Sequence, residues 1–134
     1  MNKAVIYWSG TGNTEAMAQA IAEGAGVDAQ TVSQFSGNVE ELDAIALGCP
    51  AMGAEVLEED EFEPFFASIE GKLSGKKVLL FGSYGWGNGE WMRSWQNRVT
   101  ASGAELVGGE GVIVNEAPSD DDIAKLKELG SSIA

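Results

Sequence analysis

Three stretches of this chain are almost uninterruptedly apolar: Ala4-Val5-Ile6-Tyr7-Trp8, Ala44-Ile45-Ala46-Leu47-Gly48-Cys49 and Val78-Leu79-Leu80-Phe81. A strand with no polar face is buried on both sides, which is the situation of a parallel sheet covered by helices. Between these runs the period changes. Residues 15–25 place Ala16, Met17, Ala20 and Ile21 at helical spacing, and Gly24 and Gly26 close the segment. Residues 61–73 do the same with Phe62, Phe65, Phe66 and Ile69, with Pro64 tolerated in the first turn. In residues 90–101 Trp91, Trp95 and Val99 share one face, and in residues 120–133 Ile123, Leu126 and Leu129 do. The acidic start of that last segment suits a helix N-terminus. Residues 29–35 read as a weaker, alternating strand, and residues 39–42 as one helical turn. Leu106-Val107 and Val112-Ile113-Val114 read as a last strand, interrupted by Gly108-Gly109-Glu110-Gly111. Strand and helix thus alternate five times, which implies a three-layer α/β/α fold on a five-stranded parallel sheet with right-handed crossovers.

At 134 residues, with no repeat, linker or low-complexity segment, the chain is expected to form one domain over 1–134. No apolar run is long enough to cross a membrane, and Met1-Asn2-Lys3 leads directly into a strand without a signal-like segment, so the expectation is a cytoplasmic protein. A single cysteine, Cys49, and no histidine leave no internal disulfide and no usual soft-metal site. Cys49 reads as a buried strand residue. The net charge of −13 opposes binding to nucleic acid or anionic membrane and favours basic protein partners. Its acids are clustered: Glu55, Glu58, Glu59, Asp60, Glu61 and Glu63 form one group, and Asp120, Asp121 and Asp122 another. Such a run on a helix start reads as a solvated face rather than a metal site.

In an open parallel sheet ligands bind beyond the carboxyl ends of the strands. Three polar loops lie there. The first, Ser9-Gly10-Thr11-Gly12-Asn13-Thr14, has the glycines and hydroxyls with which a backbone folds around a phosphate at a helix N-terminus, and equally those of an ordinary turn and helix cap. The second, Pro50-Ala51-Met52-Gly53-Ala54-Glu55, is nearly neutral until its final acid. The third, within Gly82-Ser83-Tyr84-Gly85-Trp86-Gly87-Asn88-Gly89, presents an indole between glycines. Met52 and Trp86 together would hold a planar ring, each contact contributing roughly 1 kcal/mol beyond burial. Glu55 would accept a ring N–H. Trp91 and Trp95, at helical spacing, read as core.

Taken together, Trp8-Ser9-Gly10-Thr11-Gly12-Asn13-Thr14-Glu15, Gly48-Cys49-Pro50-Ala51-Met52-Gly53, Phe62-Glu63-Pro64-Phe65 and Phe81-Gly82-Ser83-Tyr84-Gly85-Trp86-Gly87 resemble the short-chain flavodoxins of anaerobic bacteria, over essentially the whole chain. The resemblance implies strand order 2-1-3-4-5 and non-covalently bound FMN. It also implies that Ser9, Gly10, Thr11, Gly12, Asn13 and Thr14 hold the FMN phosphate. Ala51, Met52, Gly53, Ala54 and Glu55 would line one ring face and the pyrimidine edge, with Glu55 bonding N3–H. Trp86 would stack on the other face, Gly85 would offer its N–H, and Ser83, Tyr84 and Asn115 would lie at the ring edge or ribityl chain. Family behaviour further implies that the Gly53 carbonyl turns toward flavin N5, a motion that glycine at the first central position of a type II′ turn permits. Ala54 departs from the polar residue often found there, and the connection from the first helix to the third strand is a few residues shorter than the family pattern.

The first loop contains no lysine or arginine, so a phosphate there keeps its charge. A negative charge at about 10 Å opposes a second by ~1–2 kcal/mol at an effective dielectric of about 20, before salt screening. With the acids of residues 55–63 nearby, this implies a low-potential one-electron carrier cycling between semiquinone and hydroquinone, with no catalytic residues of its own. Its expected partners are basic-surfaced redox proteins, reductases and electron acceptors, met as a monomer. A flavin-dependent NAD(P)H reductase would need a basic cluster for a second nucleotide, and the chain has only 8 Lys and Arg. A signalling receiver would need an aspartate where Cys49-Pro50 stands, and a P-loop NTPase a lysine where Asn13-Thr14 stands.

Overall fold

The computed structural model describes residues 2–133. Strands β1 (Lys3–Tyr7), β2 (Ala29–Thr31), β3 (Ala44–Gly48), β4 (Lys77–Tyr84), β5 (Glu105–Leu106) and β6 (Val112–Asn115) alternate with helices α1 (Asn13–Ala25), α2 (Phe62–Ile69), α3 (Glu90–Ala101) and α4 (Asp120–Ser132). All strand pairs are parallel, in the order β2-β1-β3-β4-β5. The fifth position of the sheet is shared. β5 lies opposite Lys77 and Val78, at the start of β4, and β6 lies opposite Phe81 to Tyr84, at its end. The expected glycine interruption separates them, with Gly108 and Gly109 at φ 79° and 82°.

The two-fold alternation of side chains along each strand divides the core between the two sheet faces. On one, Ile6, Ile45, Leu47, Val78 and Leu80 meet Phe62 and Phe66 of α2 and Trp91, Trp95 and Val99 of α3. On the other, Val5, Tyr7, Ala44, Ala46, Leu79 and Phe81 meet Met17 and Ile21 of α1 and Leu126 of α4. Both faces are therefore apolar, which is why the strands read as solid runs. Trp95 stands edge-on to Phe62 and Phe66, at ring separations of 5.3 and 6.0 Å. Each fully buried side chain of this size contributes roughly 1.5–3 kcal/mol. Trp91 and Trp95 are core residues, as their spacing implied.

Several boundaries differ from those read in the sequence. β1 stops at Tyr7, and Trp8 continues the ladder by a single bond, its amide donating to the Gly48 carbonyl at 3.0 Å. β2 ends at Thr31 with one further ladder bond, Val32 N–H to the Tyr7 carbonyl at 3.1 Å, because the residues that follow bond locally: Gln34 N–H donates to the Thr31 carbonyl and to its hydroxyl, and Gln34 Oε1 accepts from Thr31 N–H. Such side chains offer the backbone an alternative to the ladder. α2 gives way after Ile69 to a single tight turn over Glu70–Lys72. The largest difference is β4, which runs three residues past Phe81 through Gly82, Ser83 and Tyr84. These small and polar residues looked like loop, yet they pair fully with β6. At the last helix, Ser119 and Asp122 form a reciprocal cap, Oγ of Ser119 accepting from Asp122 N–H and Oδ2 of Asp122 from Ser119 N–H. Among the described residues no helix is long and apolar enough to cross a membrane.

Candidate functional site

The strand order reverses direction between β1 and β3, and the loops beyond their carboxyl ends open on a cleft of about 470 Å³. That volume suits a small organic ligand. Thr11 and Asn13 line it from the first loop, Pro50 and Ala51 from the second, and Ser83, Tyr84 and Gly85 from the third. Glu116 and Ala117, just beyond β6, complete it. None of these is cationic.

The first loop is shaped from within. Ser9 Oγ accepts from Gly12 N–H at 3.1 Å and from Glu15 N–H at 3.2 Å, which folds residues 9–12 over the start of α1. Gly12 caps the helix in the left-handed region at φ 96°, and its carbonyl accepts the first helical bond, from Ala16. A side chain there would be strained, which accounts for glycine. The amides of Gly10, Thr11, Asn13 and Thr14 find no acceptor among the described residues. Four donors left open at the positive end of a 13-residue helix are what a phosphate-sized anion requires. Thr14 is buried, and its hydroxyl accepts from Ser83 N–H at 3.3 Å, tying this loop to β4.

The end of β4 is fastened in turn to β6. Ser83 Oγ donates to the Glu116 carbonyl at 2.6 Å, Glu116 N–H donates to the Tyr84 carbonyl at 2.7 Å, and Asn115 Nδ2 donates to the same carbonyl at 3.2 Å. Glu116 takes φ 58°, a left-handed conformation uncommon outside glycine. The second loop leaves β3 with Ala51 N–H on the Ser83 carbonyl and closes a tight turn with Glu55 N–H on the Met52 carbonyl at 2.7 Å. In this turn the positive φ falls on Glu55, at 52°, and Gly53 is outside the left-handed region, so the turn is not in the type II′ form that the expected Gly53 motion toward a flavin would use.

Glu55 also does something the sequence did not suggest. Its Oε1 accepts from the amides of Asn88, Gly89 and Glu90 at 3.2, 3.1 and 3.0 Å, so one carboxylate oxygen bridges the second loop to the N-terminus of α3. The third loop is built around that bridge. Gly87, at φ 94°, passes so near that a Cβ would lie 2.6 Å from the Glu55 carboxyl carbon. Trp86 projects from this loop with 64% of its surface exposed, while Tyr84 packs against Trp91 at 5.8 Å. Among the sequence-derived candidates, then, Thr11, Asn13, Ala51, Ser83, Tyr84 and Gly85 line the cleft. Ser9, Gly10, Gly12 and Thr14 shape the first loop behind it, Met52, Gly53, Ala54, Glu55 and Trp86 lie outside its lining, and Asn115 fixes the end of β4. Glu116 and Ala117 were missed, although the rule that ligands sit beyond strand ends applies to the residues after β6 as it does to the others, and Pro50 was read as part of the second loop without being singled out as lining the cleft.

The acidic group of residues 55–63 is largely committed to internal bonds. Glu58 accepts from the amides of Asp60, Glu61 and Phe62, each at 2.8 Å, and so holds the chain as it enters α2, whose N-cap position is Glu61. Burial alone would raise its pKa, but the Phe62, Glu61 and Asp60 amides outweigh it and hold the carboxyl below its ordinary value. Glu61 accepts from the Trp8 indole N–H at 2.7 Å, and Glu63 pairs with Arg98 at 2.7 Å. Cys49 is buried and its thiol is pushed up to about 12, chiefly by burial. Tyr7 is likewise pushed up to about 12, by burial and then by its hydrogen bond to Glu15.

A family model described as Flavodoxin matches residues 5–130. The flavodoxin of Megasphaera elsdenii is 51% identical over 136 residues, covering 97% of this chain and 96% of that one. The flavodoxin of Clostridium beijerinckii is 48% identical over 136 residues, covering 97% of each chain. The solution structure of two-electron reduced Megasphaera elsdenii flavodoxin superposes with a TM-score of 0.81 and 46% identity in the structural alignment, over 97% of this chain and 98% of that chain. The chain belongs to the flavodoxin family, FMN-binding electron carriers rather than enzymes.

Proposed function

We propose that this chain is a cytoplasmic, monomeric, single-domain carrier of low potential that moves FMN between its one-electron- and two-electron-reduced states and exchanges electrons with redox proteins presenting basic docking surfaces. One observation carries the reading: four amides stand open at the start of α1, two of them on Thr11 and Asn13 in the lining of a cleft that has no cationic side chain in its wall. In this reading Ser9, Gly10, Thr11, Gly12, Asn13 and Thr14 receive the phosphate by dipoles alone. Ala51, Met52, Gly53, Ala54 and Glu55 border the ring on one side, and Gly85 and Trp86 on the other. Ser83, Tyr84 and Asn115 border its edge or the ribityl chain. Bound FMN supplies one-electron chemistry, and the chain decides which redox state is favoured.

The chain's own residues act on that choice through charge and access. Glu55 Oε1 is occupied by α3, whereas Oε2 has no partner among the described residues and is available to a ring N–H. The exposure of Trp86 on its glycine-flanked loop supports its role in this reading, covering the ring and excluding water. Glu116 in the cleft wall and the exposed Glu59 and Asp60 add negative charge that opposes a further electron. The Megasphaera elsdenii relative has been described in its two-electron reduced form, the lower end of the couple proposed here.

Stepwise anaerobic reduction tests the proposal. The expected course passes through a long-wavelength band of the neutral one-electron-reduced flavin before the spectrum bleaches. Direct two-electron bleaching would overturn it. Electron-transfer rates with basic partners are expected to fall as ionic strength rises, and salt-independent rates would remove the docking part of the reading.

A further inference from the structure

We propose that Arg93 is a positioning residue for Trp86, one half of a clamp on Asn88 whose other half is Glu55. The inference rests on the reading that Trp86 covers the bound ring. Asn88 is held at every polar group of its backbone and by its side chain. Its N–H donates to Glu55 Oε1 at 3.2 Å, its carbonyl accepts from Arg93 Nη1 at 2.8 Å, and its Oδ1 accepts from Arg93 Nη2 at 3.0 Å. The same Nη2 also donates to Glu90 Oε2 at 2.9 Å, which fixes the guanidinium over the first turn of α3.

The residues on the other side of Asn88 are in the opposite condition. Gly85 has open space around its Cα, and Trp86 is exposed. Gly87 is held in a left-handed conformation against the Glu55 carboxylate. A segment with glycine on both sides of its functional residue loses much backbone entropy when it is ordered. If nothing fixed its far end, that loss would fall on cofactor binding and weaken it. The clamp supplies the fixed end two residues from Trp86, so part of the ordering is present before the ring arrives. Arginine suits this task because its planar fork grips a carbonyl and an amide oxygen of one residue together, and lysine has no such fork.

The test is a double-mutant cycle read by FMN binding to flavin-free protein. R93Q is expected to weaken FMN by about three- to tenfold, mainly through faster dissociation, with R93K between R93Q and wild type. In a W86A background the further effect of R93Q is expected to shrink to within about twofold. An equal loss in both backgrounds, or no loss with Trp86 present, would overturn the proposal. A second readout does not involve FMN. Backbone ¹⁵N heteronuclear NOE values at Trp86 and Gly87 of the flavin-free protein are expected to drop in R93Q, and unchanged values would also overturn it. Failure of wild-type protein to bind FMN would instead remove the functional reading, with the NOE comparison still deciding whether the clamp exists.

Discussion

Removing the Glu58 side chain should destabilise the fold more than removing any other carboxylate of residues 55–63. Glu58 is only 5% exposed, and its two oxygens take the amides of Asp60, Glu61 and Phe62 at 2.8 Å each. Its own amide donates to Cys49 Sγ at 3.3 Å, and its carbonyl accepts from Glu63 N–H at 2.8 Å, so it joins the end of β3 to the start of α2. Losing a side-chain acceptor for amides at a helix start, by analogy with truncating an N-cap, costs ~0.5–2 kcal/mol. Leaving a buried amide such as that of Phe62 without an acceptor costs about 1–3 kcal/mol. The two overlap, and E58A is expected to lose about 2–4 kcal/mol, whereas E58Q keeps an oxygen, loses the charge and should lose ~1 kcal/mol. The pH dependence follows from the depressed pKa of the folded state. A carboxyl that binds its proton less readily when folded stabilises fully above its unfolded pKa, and the contribution disappears as pH falls through the lower, folded value. Urea unfolding of flavin-free wild type and E58Q between neutral and acid pH should therefore show a constant difference above about pH 5, the upper edge of the ordinary glutamate range, that narrows as pH falls and closes only below the lower, folded value. An E58A protein within about 0.5 kcal/mol of wild type, or a wild-type advantage over E58Q that persists unchanged into acid, would refute the reasoning.

Two further outcomes follow from the loops. G87A places a methyl at φ 94° and 2.6 Å from the Glu55 carboxyl carbon, so it should displace Glu55 from α3 at a cost of about 1–3 kcal/mol; a melting temperature equal to wild type would contradict this. S9A removes the acceptor for Gly12 and Glu15 N–H, so it should weaken FMN by about tenfold and leave riboflavin, which lacks the phosphate, within about twofold. Equal losses for the two flavins would show that Ser9 acts on something other than the phosphate.

The architecture was legible because it rests on patterns that burial imposes. Strands covered on both faces cannot hide their apolar runs, and Trp91 and Trp95 declared themselves core by helical spacing. Ser83 and Tyr84 were read as loop because the apolar run stops at Phe81. Their place in β4 depends on Thr14, Asn115 and Glu116, residues about thirty or more positions away, whose hydrogen bonds make a polar strand end possible. Glu55 shows the same limit. Its residue type at the end of the second loop was readable as a ligand group, but its bridge to the amides of residues 88–90 requires two loops to meet, and no local pattern encodes that meeting. After β6 the left-handed position is taken by Glu116, one residue past Asn115, so the residue type at that position did not mark the conformation.

The most direct test of the account is titration of the flavin-free protein with FMN, followed by flavin fluorescence and visible absorption. The cleft described here predicts quenching that saturates at one FMN per chain, with the two yellow flavin bands perturbed from those of free FMN by contact with Trp86. Fluorescence that stays unchanged as protein is added in excess would contradict it.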